Sequence, residues 1–181
     1  VYTGSIRKVN NLGLLLDAAK CVTDPRVKFL IWGDGDEREV LERRVRDAGL
    51  TNVVFKGRVE KKYIPSIVSR ADANLMHGTP GPLFRFGVSP NKMFDYFAAG
   101  KPILMDFETK YNPVEQYQAG IILNSLSGEA AAQTLQRMAK WPEEEYARNC
   151  QNARRAAGDF DFKKLTDKLL NIIESLPERK S

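Results

Sequence analysis

Val27-Lys28-Phe29-Leu30-Ile31-Trp32-Gly33-Asp34-Gly35-Asp36 is an apolar run too short for a helix, and it breaks at two closely spaced glycines. It predicts a strand, a tight turn and a helix capped by Asp36, with Leu41, Val45 and Ala48 on its inner face. The alternation extends in both directions. Upstream, Val1 to Thr3 is a short strand and Gly4 a turn. Leu12, Leu15, Leu16, Ala19 and Val22 then recur at helical spacing until Asp24-Pro25 ends the helix. Downstream, Asn52 to Phe55 is a strand stopping at Gly57, Tyr63 to Ser69 a helix, and Ala73 to Met76 a fourth strand.

A Gly/Pro-rich stretch, His77 to Ser89, follows. It exceeds the ~4–6 residues usual between elements, which points to a binding loop. A helix of about three turns ends at Gly100. Lys101 to Met105 is a fifth strand and Gly120 to Leu123 a sixth. From Ser127 the chain is helical, ending in an amphipathic helix with Leu165, Leu169, Ile172, Ile173 and Leu176 on one face, expected to pack on the core. The tail Glu178 to Ser181 is expected to fray. Strands alternating with helices define the class as α/β, a Rossmann-like parallel sheet of about six strands with helices on both faces. Ligands bind such sheets at the carboxyl ends of the strands, so the turns after Thr3, Trp32, Phe55 and Met76 form one rim.

The 181 residues, 43 % hydrophobic, suit a single domain spanning 1–181. Val1 enters a strand at once with no charged segment before it, so a preceding domain is expected and a signal peptide is not. Cys21 and Cys150 lie outside any CxxC spacing, which argues against a disulfide framework or zinc site and for a reducing, cytoplasmic location. No apolar run reaches the ~18–20 residues that span a bilayer. The net charge of +5 suits an anionic ligand, an anionic lipid surface or nucleic acid. Nucleic acid is disfavoured, because basic and acidic residues interleave, as in Asp36-Glu37-Arg38-Glu39.

Gly4, Gly33, Gly35, Gly57, Gly78, Gly81 and Gly87 sit at the strand exits, where a ligand can approach bare backbone. Near them stand Arg7, Lys8, Arg58 and Lys92. In Gly87-Val88-Ser89-Pro90-Asn91-Lys92-Met93-Phe94-Asp95, Ser89 suits an N-cap and Pro90 the first helical position. The free amides of Asn91 and Lys92 would then face the rim with the Lys92 ammonium, a place for a diphosphate. Asp95 lies on the same helical face, where it can accept from a pair of ribose hydroxyls. An ordinary Lys92–Asp95 surface ion pair is the plainer alternative. The lone His77 lacks partner ligands, and no metal is expected. His77 is expected to be a donor contact or a polar surface residue.

Tyr2-Thr3-Gly4-Ser5-Ile6-Arg7, Gly33-Asp34-Gly35, Phe55-Lys56-Gly57-Arg58-Val59, Ala71-Asp72 and Asp95-Tyr96-Phe97-Ala98-Ala99-Gly100-Lys101-Pro102 occur in the order shown by the C-terminal domain of retaining GT-B glycosyltransferases, which this chain resembles over nearly its whole length. More narrowly, Ser89-Pro90-Asn91-Lys92 followed by Asp95-Tyr96 is similar to the L-fucosamine transferases of O-antigen and capsule synthesis. The resemblance implies one half of a GT-B fold, a UDP-sugar donor as substrate, no cofactor, and an N-terminal acceptor domain absent from this chain. It implies that backbone near Arg58 holds the base, Asp95 the ribose and amides around Ser89, Pro90, Asn91 and Lys92 the diphosphate. Gly4, Ser5, Arg7, Lys8 and Gly33 complete the donor-binding set. Arg7 and Lys92 would stabilise the leaving group. Asp95 stands where the family has the second glutamate of its E-x7-E pattern; Gly87 takes the place of the first. Ser5 and Asn10 replace the family's paired arginine and lysine, and Arg7 or Lys8 is the substitute. The last helix can cross toward the partner domain, and contact with the inner face of the membrane would be peripheral.

Two other functions fit the residues alone. A dinucleotide-dependent oxidoreductase is weakened because Gly4-Ser5-Ile6-Arg7-Lys8-Val9 has no GxGxxG. A non-catalytic nucleotide-binding or interaction module stays open, since no nucleophile stands out.

Overall fold

The computed structural model describes residues 1–79, 81–123 and 128–176. Six strands, β1 Tyr2–Thr3, β2 Phe29–Trp32, β3 Val53–Gly57, β4 Asn74–Met76, β5 Ile103–Met105 and β6 Gly120–Ile122, alternate with α1 Gly13–Cys21, α2 Arg38–Asp47, α3 Ile64–Ser69, α4 Asn91–Ala99 and α5 Pro113–Gln116. Three helices follow, α6 Gly128–Met138, α7 Glu143–Asp159 and α8 Phe162–Glu174.

Every strand pair is parallel. The ladders make two three-stranded sheets, β1-β2-β3 and β4-β5-β6, where the sequence predicts one of about six strands. They abut along β1 and β4, where the Leu75 N–H donates to the Val1 carbonyl at 2.8 Å. Because β1 pairs through two residues only, the seam carries too few bonds for a continuous ladder. Read across the seam, the order is 3-2-1-4-5-6, and winding reverses between β1 and β4. Doubly wound sheets take their ligands at that point.

Both faces are covered, which explains the apolar strands. Leu75 and Leu104 join Ile31, Leu15 and Leu16 in one core, while their strand neighbours Met76, Ile103 and Met105 join Val68, Tyr96 and Phe97 in the other. That is the period-two alternation of a sheet packed on two sides. Helices α1 and α6 pack together over the first core, and α4 packs with α3 and α7 over the second.

Several local expectations need correction. Glu37, not Asp36, precedes α2, and no side chain caps that helix; Leu41 alone is buried and Ala48 follows the last turn. The loop from His77 to Ser89 contains a tight helical turn, Pro82–Phe86. Helix α5 is an addition, nucleated by Asn112, whose side-chain oxygen accepts from the N–H groups of Val114 and Glu115 ahead of Pro113. The last helix does not pack on the core: no residue of α8 is buried, and Phe162 is 87 % exposed. Ser127 and the tail Glu178 to Ser181 lie outside the described residues. Among the described residues no helix is long and apolar enough to cross a membrane.

Candidate functional site

The carboxyl ends of the first three strands are knitted backbone to backbone. Gly4 N–H donates to Trp32 O at 3.0 Å, Gly33 N–H to Gly57 O at 2.9 Å and Ile6 N–H to Asp34 O at 2.9 Å. Gly33 is required by this closeness: a Cβ there would run into the Gly4 carbonyl oxygen, and φ is +147°. The result is a low floor of main chain at the rim, as the sequence predicts for Gly4 and Gly33.

Helix α4 begins one residue later than expected. Pro90 occupies the N-cap position, Ser89 lies outside the helix, and no side chain caps it. Ser89 cannot cap because Pro90 has extended backbone, ψ 134°, which postpones the first turn. The Met93 N–H bonds to Pro90 O at 2.9 Å, and among the described residues the N–H groups of Asn91 and Lys92 have no acceptor. The expected pair of open amides is therefore present.

Tyr96 fastens this helix to the rim. Its hydroxyl, buried, accepts from the Thr3 N–H at 3.1 Å and shares a 3.0 Å bond with Thr3 Oγ1. Replacing Tyr96 by phenylalanine leaves that buried N–H unpaired, a loss of about 1–3 kcal/mol. Thermal denaturation should show Tm lower by several degrees; an unchanged Tm would refute the anchoring role.

Lys92 turns toward β1 and not toward Asp95, with which it makes no ion pair. Its Nζ lies 4.4 Å from the centroid of the Tyr2 ring and 3.4 Å from the Tyr2 hydroxyl, and a Cβ on Gly4 would stand 2.8 Å from it. Burial lowers this ammonium from its ordinary 10.5 to about 8, with Asp106 opposing the shift. Burial also pushes the Tyr2 hydroxyl upward. A partly desolvated cation held against an aromatic face, with no carboxylate in contact among the described residues, is arranged to receive an anion.

The other expected residues are less closely drawn together. Ser5, Arg7, Lys8 and Arg58 are exposed, Arg58 just beyond the Gly57 contact and Arg7 and Lys8 at the tight turn after β1. Asp95 is half-buried and makes no hydrogen bond or ion pair among the described residues. Asn10 donates to the Ser5 carbonyl at 2.7 Å and the Ser5 hydroxyl at 2.9 Å, so these two neutral residues close on each other. Of two hollows, of about 760 and 1030 Å³, one lies between α6 and α7 and the other beside α3, lined by Tyr2, Trp32, Arg70, Trp141 and Tyr146.

His77 is not a surface residue. It is 4 % exposed, with Nδ1 against the Asp106 carboxylate and Nε2 2.8 Å from the Asn11 carbonyl. Tyr2, Tyr96, Asn11 and Asp106 are the participants that sequence reasoning missed. Tyr2 and Asp106 stand at strand ends, a position many structural residues share, while Asn11 precedes α1 and Tyr96 lies within α4.

Residues 1–140 match the family model described as Glycosyl transferases group 1. No curated protein matches the sequence. Among solved structures, a variant of TarM from S. aureus, bound to UDP, fondaparinux and α-GlcNAc-glycerol, is similar at 18 % identity and TM-score 0.73, covering 96 % of this chain and 35 % of that one. HepE from Anabaena, with UDP and glucose, is similar at 19 % and 0.74, over 97 % of this chain and 47 % of that one. The pneumococcal O-GlcNAc transferase GtfA, with UDP and GlcNAc, is similar at 17 % and 0.72, over 96 % and 34 %. The chain thus spans a third to a half of the length of these proteins. The shared architecture is one Rossmann-like half of the GT-B fold. Its match over residues 1–140 shows that the chain belongs to the glycosyl transferases group 1 family.

Proposed function

We propose that this chain binds a nucleotide-sugar, UDP-linked, on the rim between β1 and α4, as the donor half of a glycosyltransferase whose acceptor half is an N-terminal domain. One observation carries the reading: a half-buried lysine, without a carboxylate partner among the described residues, turns to the bare Gly4 backbone at the start of a helix with two open amides. Fold relatives solved with UDP support the choice of nucleotide. The diphosphate sits at the α4 start against Lys92, with Arg7 and Lys8 approaching from the β1–α1 turn, and Asp95 accepts from the ribose. Sugar transfer leaves negative charge on the departing diphosphate, and cations and amides set in place beforehand stabilise it without a metal. The transferred group is an amino sugar of the fucosamine kind and the acceptor a polysaccharide or lipid-linked saccharide, met at the cytoplasmic face of the membrane.

Thermal denaturation with UDP tests this. At 100 times the dissociation constant, UDP should stabilise the chain by about 2.7 kcal/mol, with or without EDTA. Asp95→Ala should weaken UDP about tenfold or more while inorganic pyrophosphate binds as before, because a ribose contact is lost and the phosphate contacts are not. A response to NAD and none to UDP would overturn the reading.

A further inference from the structure

His77 is the chain's single histidine, and the donor site described above does not use it. It follows β4, while Asp106, 5 % exposed, follows β5 and also accepts from the Gly78 N–H at 3.3 Å. Asn11, whose carbonyl faces Nε2, stands between the tight turn after β1 and helix α1 with left-handed backbone, φ 45° and ψ 45°. A non-glycine residue keeps such a conformation when its surroundings hold it there. Both ring nitrogens of His77 face acceptors, a carboxylate at Nδ1 and a carbonyl at Nε2. The other ionisable groups gathered under the turn are Lys92 from α4 and Tyr2 from β1, both within the field of Asp106.

We infer that His77 is a positioning residue: anchored by Asp106, it grips Asn11 and so holds the β1–α1 turn in the shape that receives a nucleoside diphosphate. The bond spans 66 residues of sequence and joins the connections that follow β1 and β4, the strands on either side of the switch point. The turn it holds carries the hydrogen-bonded pair Ser5 and Asn10 as well as Arg7 and Lys8. This inference rests on the nucleotide reading, because it concerns the shape of that site.

Asparagine and glutamine separate the two contacts. The carboxamide nitrogen of His77→Asn falls near Nδ1 and can serve Asp106, whereas that of His77→Gln falls near Nε2 and can serve Asn11. UDP titrations should find H77Q within threefold of the unaltered chain and H77N at least tenfold weaker, while thermal denaturation shows similar losses in both. A purely structural histidine would make affinity follow stability, so equal affinities in the two variants, or H77N within threefold, overturn the inference. Should the variants fail to fold, the ring ¹⁵N signals of the unaltered chain decide. An Nε2–H that is shielded from exchange and shifted by UDP supports it; a ring without a proton on Nε2, or signals that UDP leaves in place, overturn it. Failure of UDP to bind the unaltered chain would instead remove the nucleotide reading itself.

Discussion

Replacing Lys92 by methionine is expected to weaken UDP binding between ten- and a hundredfold and, at neutral pH, to make the chain more stable. Affinity falls because a charge-assisted contact to the diphosphate is lost, worth about 1.5–3 kcal/mol. Stability rises because a cation that burial has shifted to about 8 is held at a disadvantage while it keeps its proton. Full conversion of that shift gives about 3 kcal/mol. The lost contact with the Tyr2 ring offsets part of it, leaving about 1–2 kcal/mol. Denaturation and UDP titration of the same variant therefore move in opposite directions. A variant that loses both stability and affinity would show Lys92 to be a packing residue.

The same lysine sets a pH dependence whose direction follows from its lowered value. In the unfolded chain it keeps its proton up to about 10.5, and in the fold up to about 8. Between those values the unfolded chain binds more protons, so this residue's contribution to stability improves as pH rises from 8 toward 10.5. Below 8 its full penalty is present. UDP affinity runs the other way: it is steady from 7 to about 8 and then falls by up to tenfold per pH unit, because the diphosphate needs the ammonium. The fall should be missing from Lys92→Met, and if both proteins show it, another group is responsible.

Gly33→Ala should be among the most damaging single substitutions in the chain. The new Cβ would meet the Gly4 carbonyl, a backbone atom that cannot swing aside. Relief requires the β1 and β2 exits to part, which breaks the Gly33–Gly57 and Gly4–Trp32 bonds. Two lost backbone bonds and a strained φ together cost about 3–5 kcal/mol. For a chain of this size that lowers Tm by roughly 6–20 °C, and UDP binding should disappear with it. Gly158→Ala is the contrast: it lies in α7 with nothing within 4 Å of the added atom, so it should stabilise by about 0.5–1 kcal/mol. Equal effects at the two positions would refute the close-approach account of Gly33.

The strand, turn and helix alternation was legible from residue types, and so was the rim. Val27 to Trp32 announces a strand by its apolar run, and the glycines after it announce a turn through conformations that other residues reach at a cost. Asn112-Pro113 carries an equally readable start signal for α5, but a helix of a single turn shows no helical period in the sequence. Ser89 stands one residue ahead of the cap position, since local rules locate a helix end only to within a residue or two.

What the amino-acid order determined by itself is local: which segments extend, which coil, where the main chain lies bare, and that Asn91, Lys92 and Asp95 open one helix. Only the tertiary structure decided that Lys92 lies over Tyr2, that Tyr96 holds Thr3, that His77 is buried between Asp106 and Asn11, that the ladders part at β1 and β4, and that α8 stands clear of both cores. The physical reason is range. Backbone propensity and side-chain period act between residues a few positions apart, whereas each of those contacts joins residues dozens of positions apart and exists only once the winding of the sheet has set β1 beside β4.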